Sequence, residues 1–166
     1  MATGCAANPS FSTGRARLLG TFFSTGNATP GSFVGDVIAQ IGLRHSSDPG
    51  LAAGSLQVVA NVDMCTDSGC SQSLPIGSAT LGTATVGQDV LLQMEWDRTN
   101  KRFDFKRDGV TTGQIAYTQS DLAAPGRPLM AVGTRLNAAS CASGPRTTVM
   151  VDARIDNVAV NRSATR

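Results

Sequence analysis

Along most of this chain, side chains alternate between apolar and polar with a repeat of two. Residues 36–46 place Val37, Ala39, Ile41 and Leu43 on one side and Ile38, Gln40, Gly42 and Arg44 on the other. Residues 55–64 set Leu56, Val58, Ala60, Val62 and Met64 against Gln57, Val59, Asn61 and Asp63. A period of two is what a half-buried β-strand requires, because successive side chains leave opposite faces of the pleat. The pattern continues through 89–97, where Val90, Leu92, Met94 and Trp96 alternate with Leu91, Gln93, Glu95 and Asp97. It resumes at 102–107, where Phe103 and Phe105 flank Asp104. The short polar connection Arg98-Thr-Asn-Lys101 makes this pair a predicted hairpin, and Asp108-Gly109 turns the chain into a further strand at 111–118. Segments 17–23, 79–86, 129–137 and 147–161 bring the expected total to eight or nine strands, separated by Gly, Pro, Asn, Asp and Ser clusters. Helix competes only at 120–124, where Ser-Asp-Leu-Ala-Ala before Pro125 suits a single turn.

Composition supports the same class. Eleven Asp accompany a single Glu and only two Lys, so the residues that normally cover exposed helix faces are nearly missing. A chain of 166 residues is long enough for one domain and can remove roughly 70% of its unfolded surface from water. The expectation is therefore a single all-β domain over 1–166: a two-sheet antiparallel β-sandwich, with 1–14 and 162–166 as peripheral ends. Net charge is only +2, and twelve Arg are spread along the chain without a basic run, so nucleic acid is not an expected partner. No apolar run approaches the roughly eighteen residues of a membrane span, and the first fourteen residues lack the basic and apolar regions of a secretory signal.

Four cysteines form an even set, and Cys65-Thr-Asp-Ser-Gly-Cys70 closes a small loop through turn residues, as a local disulfide does. Cys5 and Cys141 then remain for each other, although four cysteines leave other connectivities open. Four free thiols are one competing reading and zinc is the other, but paired CxxC units are missing and the lone His45 lies twenty residues before Cys65. Disulfides imply an exported protein, extracellular, periplasmic or cell-surface.

Two segments carry a family resemblance. Gln93-Met-Glu-Trp-Asp-Arg-Thr-Asn-Lys-Arg-Phe-Asp-Phe-Lys-Arg-Asp-Gly109 resembles a late hairpin of the concanavalin A-like lectin/glucanase domains, and Val151-Asp-Ala-Arg-Ile-Asp-Asn-Val-Ala-Val-Asn161 resembles their closing strand. The resemblance, which runs from Arg17 to Asn161 mainly in strand order and spacing, implies a jelly-roll sandwich whose concave sheet binds or cleaves glycans. The glucanase members carry Glu-x-Asp-x-x-Glu on one strand, because retaining hydrolysis needs two carboxyl groups about 5 Å apart. Here Glu95 and Asp97 share a strand face but cannot complete that pattern, and Lys106 or Arg102 are their expected cross-strand partners. The metal-binding loop of the legume-type members has no counterpart. Asp156 and Asn157 are the only calcium candidates, and two donors fall short of the about six to eight that calcium takes. No cofactor is expected.

If the apolar parity faces the core, the opposite faces gather Gln40, Arg44, Gln57, Asn61, Asp63, Gln93, Glu95, Arg135 and Asn137. Amides, guanidinium groups and carboxylates suit hydroxyl-rich ligands, since they donate and accept in fixed geometry. Trp96 falls on the apolar side, so this face lacks an aromatic on which a sugar would stack. Ser140 and Ser143 stand in no nucleophile-elbow context with which His45 would form a triad. The glycine-rich 77–87 stretch lacks GxGxxG order. The expected function is a non-catalytic module that binds polysaccharide or a glycoconjugate. The alternative is a structural or adhesive module whose partner is another protein or domain, with an atypical glycoside hydrolase as a distant third.

Overall fold

The computed structural model describes residues 12–26, 28–48, 50–52, 54–137, 152–156 and 158–159. They form eight strands: β1 (Thr13–Ser24), β2 (Asp36–Ser46), β3 (Ser55–Cys65), β4 (Ser73–Thr85), β5 (Leu92–Asp97), β6 (Arg102–Arg107), β7 (Val110–Ala116) and β8 (Met130–Asn137). No helix occurs among the described residues. A five-stranded sheet has the order β4-β3-β2-β1-β8 and a three-stranded sheet the order β5-β6-β7, every pairing being antiparallel. The two sheets pack face to face as a β-sandwich.

The alternation explains the core. Val37, Ala39, Ile41, Val58, Ala60 and Val62 are fully buried on the inner face of β2 and β3, opposite Phe103 and Phe105 on β6. Each of the Val, Ile and Phe side chains contributes about 1.5–3 kcal/mol by leaving water, and each alanine methyl less. At Phe22 the β1–β2 register shifts by one residue, a bulge that lets two successive phenylalanines reach the core. Phe22, Phe23, Trp96, Phe103 and Tyr117 then join in one aromatic cluster, with centroids 4.9–6.4 Å apart. Where β4 meets β7, Gly113 seats Leu81 and Gly77 seats Ile115, and a Cβ on either glycine would meet those side chains at 2.4 and 2.7 Å. The three-stranded sheet packs on β4, β3 and β2. The inner side of β8 lies beyond it, leaving Met130, Val132 and Leu136 39–47% exposed.

The hairpin forms as expected: Asp97 pairs Arg102 across the four-residue connection, and the Asp108-Gly109 turn has positive φ at both positions, as a type I′ turn demands. Other expectations need correction. Residues 13 and 14 are not peripheral, because β1 lies between β2 and β8 and both ladders run down to Thr13. Within 147–161, residues 152–156 and 158–159 are exposed and belong to no strand, and the rest of that segment lies outside the described residues. Alternation alone does not make a strand without a partner ladder, and Ile155 and Val158 are about half exposed. Residues 120–124 do not make a helical turn. Ser24 N–H donates to the Ala123 carbonyl at 2.9 Å and Asp121 is buried, so the segment is drawn out along the sandwich. The same connection is pinned further on, where the buried Asp36 carboxylate accepts the backbone N–H groups of Gly126 (2.8 Å) and Arg127 (2.9 Å).

Candidate binding face

Because Ala16, Leu18 and Gly20 of β1 share the inner side with Leu43, Ile41 and Ala39, the alternate residues Arg15 and Arg17 project from the outer face of the five-stranded sheet. Antiparallel register places Arg44 of β2 and Arg135 of β8 directly opposite Arg15, so three arginines form one cross-strand row, extended by Gln57 on β3. The next row holds Gly133, Arg17, Gly42 and Val59; the one beyond holds Gln40 and Asn61. Arg15, Arg17, Gln40, Gly42, Val59 and Asn61 line one shallow depression.

The guanidinium groups are held by neutral partners. Arg17 donates to the Gln40 side-chain oxygen, Arg44 Nε to Gln57 Oε1 at 3.0 Å, and Arg135 Nε to Asn137 Oδ1 at 3.3 Å. Amide oxygens orient a cation without cancelling its charge. The Nε groups of Arg15 and Arg17 are buried and find no acceptor. Burial holds the Arg15 guanidinium below its ordinary range, and repulsion from Arg44 and Arg135 adds to it; Arg17 is lowered by burial, then by Arg135 and Arg15. Asp63 is the carboxylate facing them. Burial raises it, against the hydrogen bonds from Asn61 (3.1 Å) and Gln40 that favour its charged form.

Seven of the nine polar residues singled out from the sequence share this face: Gln40, Arg44, Gln57, Asn61, Asp63, Arg135 and Asn137. Gln93 and Glu95 do not join them. They are exposed on the outer side of β5, in the other sheet. There Lys106 Nζ reaches Glu95 Oε1 at 2.6 Å and Arg102 Nη2 reaches Asp97 Oδ2 at 3.3 Å, the cross-strand partnership expected for the carboxylate pair. Arg15 and Arg17 are the residues that sequence reasoning passed over, although the Arg-Ala-Arg-Leu alternation already carries their signal.

Cys65 and Cys70 form the expected local disulfide, with Cα atoms 4.9 Å apart. Its loop is tied by Asp67, whose carboxylate accepts from Ser71 Oγ and from the N–H groups of Ser71, Gly69 and Gln72 and is thereby lowered to about 2. Cys5, Cys141, Ser140, Ser143 and Asn157 lie outside the described residues. Asp156 stands in an exposed, irregular segment, and His45 pairs with Gly14 at the far end of β2. Among the described residues, no group of three or more His, Cys, Asp or Glu is placed to hold a metal ion, and no helix is long and apolar enough to cross a membrane. The chain matches no protein-family model, no curated protein and no solved structure.

Proposed function

We propose that the chain is a non-catalytic module of an exported or cell-surface protein that engages polysaccharide across the outer face of its five-stranded sheet. The observation that carries this is the convergence of Arg15, Arg17, Gln40, Arg44, Gln57, Asn61 and Arg135 on one outer face, where the hydrogen bonds that steady the cations come from amide oxygens and Asp63 is the carboxylate nearby. Such a surface offers hydroxyl and oxyanion groups many donors in set directions. A concanavalin A-like kinship belongs to the same proposal, supported by the two-sheet sandwich and by the hairpin at β5–β6. Export is supported by the Cys65–Cys70 bridge, a bond that persists in oxidising compartments.

Affinity electrophoresis through gels cast with individual polysaccharides tests the proposal. The wild-type chain is expected to be retarded by at least one of them, and the retardation to fall in Arg44→Ala, Asn61→Ala and Arg135→Ala. Free migration in every gel overturns it. A second reading has one observation in its favour. Among the described residues β8 is a sheet edge, carrying half-exposed Met130, Val132 and Leu136, a surface suited to a protein partner. A partner contact that Val132→Asp abolishes, in a chain that binds no polysaccharide, would establish it.

A further inference from the structure

We infer that Arg15 and Arg17 form the anion-holding centre of this face, seating the carboxylate or sulfate group of an acidic polysaccharide. The inference rests on the polysaccharide reading and narrows it to one substrate class.

Three observations carry it. Arg135, Arg15 and Arg44 stand directly opposite one another, an arrangement in which like charges repel across the ladder. An anion bound between them would relieve that repulsion, and whatever binds the folded state stabilises it. The Nε–H groups of Arg15 and Arg17 are buried and unpartnered, whereas buried donors are normally satisfied. Neither has an acceptor inside the protein, and a guanidinium turned outward from the sheet would present its planar fork to a carboxylate or sulfate edge. Finally, Gly133 stands opposite Arg17 on β8, and a Cβ built there would meet nothing within 4 Å, so the approach to Arg17 is open on that side.

The rest of the face selects the class of ligand. Among the described residues, Phe22, Phe23, Phe33, Trp96, Phe103, Phe105 and Tyr117 are all buried or packed against the core, so no aromatic ring is left on this face for a neutral sugar to stack upon. A nucleic acid offers phosphate oxygens too, but it needs a basic track along its backbone, and these four cations occupy two adjacent rows.

Isothermal titration of the full chain tests the inference, with oligogalacturonate, dextran sulfate, neutral dextran, sodium sulfate and a single-stranded oligodeoxynucleotide at one ionic strength. An acidic polymer should bind at least about tenfold more tightly than neutral dextran. Arg15→Gln and Arg17→Gln should each weaken it about tenfold, as expected for a lost charge-assisted bond. Gly133→Val should also weaken it while removing no charge. Valine suits a strand, so this variant keeps the test alive if either arginine variant fails to fold. Lys106→Gln, on the other face, should change nothing. Sodium sulfate should compete only at concentrations on the order of millimolar, having a single group to offer.

Equal binding of acidic and neutral polymers, indifferent to Arg15→Gln and Arg17→Gln, overturns the inference while the broader polysaccharide reading stands. Tighter binding of the oligonucleotide, or sulfate matching the polymer in affinity, overturns it by assigning the anion to another source. No polysaccharide binding at all removes both readings together.

Discussion

The two outer faces of this sandwich carry similar residue types and treat charge in opposite ways. On β5-β6-β7, Lys106 meets Glu95 at 2.6 Å, Arg102 lies between Asp97 (3.3 Å) and Asp104 (3.2 Å), and Gln114 donates to Asp104 at 2.8 Å. Each cation on that ladder has an acid opposite or beside it. On the five-stranded sheet, Arg17, Arg44 and Arg135 lean on amide oxygens, and Arg15 faces two other arginines. A carboxylate partner neutralises a guanidinium; an amide leaves its field intact for something else. The first face is complete in itself and the second is complementary to an anion.

Breaking the contrast outright should give the largest effect. The double variant Arg15→Glu, Arg17→Glu places acids where cations stood, and affinity for an acidic polymer should fall by about a hundredfold or more, two charge-assisted bonds being lost and replaced by repulsion. Lys106→Glu should leave that affinity unchanged. Titration calorimetry separates the two outcomes.

The matched side of the molecule continues past β7, where Trp96 Nε1–H donates to the Tyr117 hydroxyl (2.9 Å) and the phenol donates to the Asp121 carboxylate at 2.7 Å. Arg98 and Lys101 stand 3.7 and 3.6 Å from that carboxylate. Burial first, and Asp121 second, push Tyr117 up to about 12 from its ordinary 10. Its folded pKa exceeds its unfolded one, so its contribution is complete below pH 10 and is lost as pH climbs toward about 12. Denaturant melts should therefore show wild type losing about 1 kcal/mol over that interval, once solvent screening is allowed for, beyond any loss shared with Tyr117→Phe. Equal pH dependence in both proteins would remove the phenol from the account.

A smaller effect sharpens the contrast from the other face. The folded-state pKa of Asp63 is raised chiefly by burial, so its charged form opposes folding above the unfolded carboxylate range and ceases to do so in acid. Asp63→Asn should raise stability at neutral pH by less than about 1 kcal/mol, with the gain vanishing as pH falls, and should tighten acidic-polymer binding severalfold. Smallest of all, Glu95→Gln should shift stability by no more than about 1 kcal/mol, since Glu95 is half exposed, and should leave binding untouched. Thermal melts read both.

Much of the fold is legible in the alternation. β2 begins and ends where its apolar repeat does, and the Asp108-Gly109 turn announces the step from β6 to β7. β4 is harder to see. Pro75 and Gly77 interrupt its early half, which is a strand because β3 pairs it as far as Ser73. The site is less legible for a different reason. Parity tells which side of a strand faces outward, but both sheets have outward sides, and nothing in the pattern says that Glu95 leaves the opposite surface from Asn61. Register across β8-β1-β2 is likewise a tertiary fact. It brings Arg135, Arg15 and Arg44 into one row although they are far apart along the chain.

The most direct test of the unmatched face is to watch the arginine side chains themselves. In a proton–nitrogen NMR spectrum of the Nε–H groups, assigned through Arg15→Lys and Arg17→Lys, titration with oligogalacturonate should move the Arg15 and Arg17 signals first and furthest and leave Arg102 still. Shifts confined to Arg102, or Arg15 and Arg17 signals unmoved while the polymer binds elsewhere, would contradict the account.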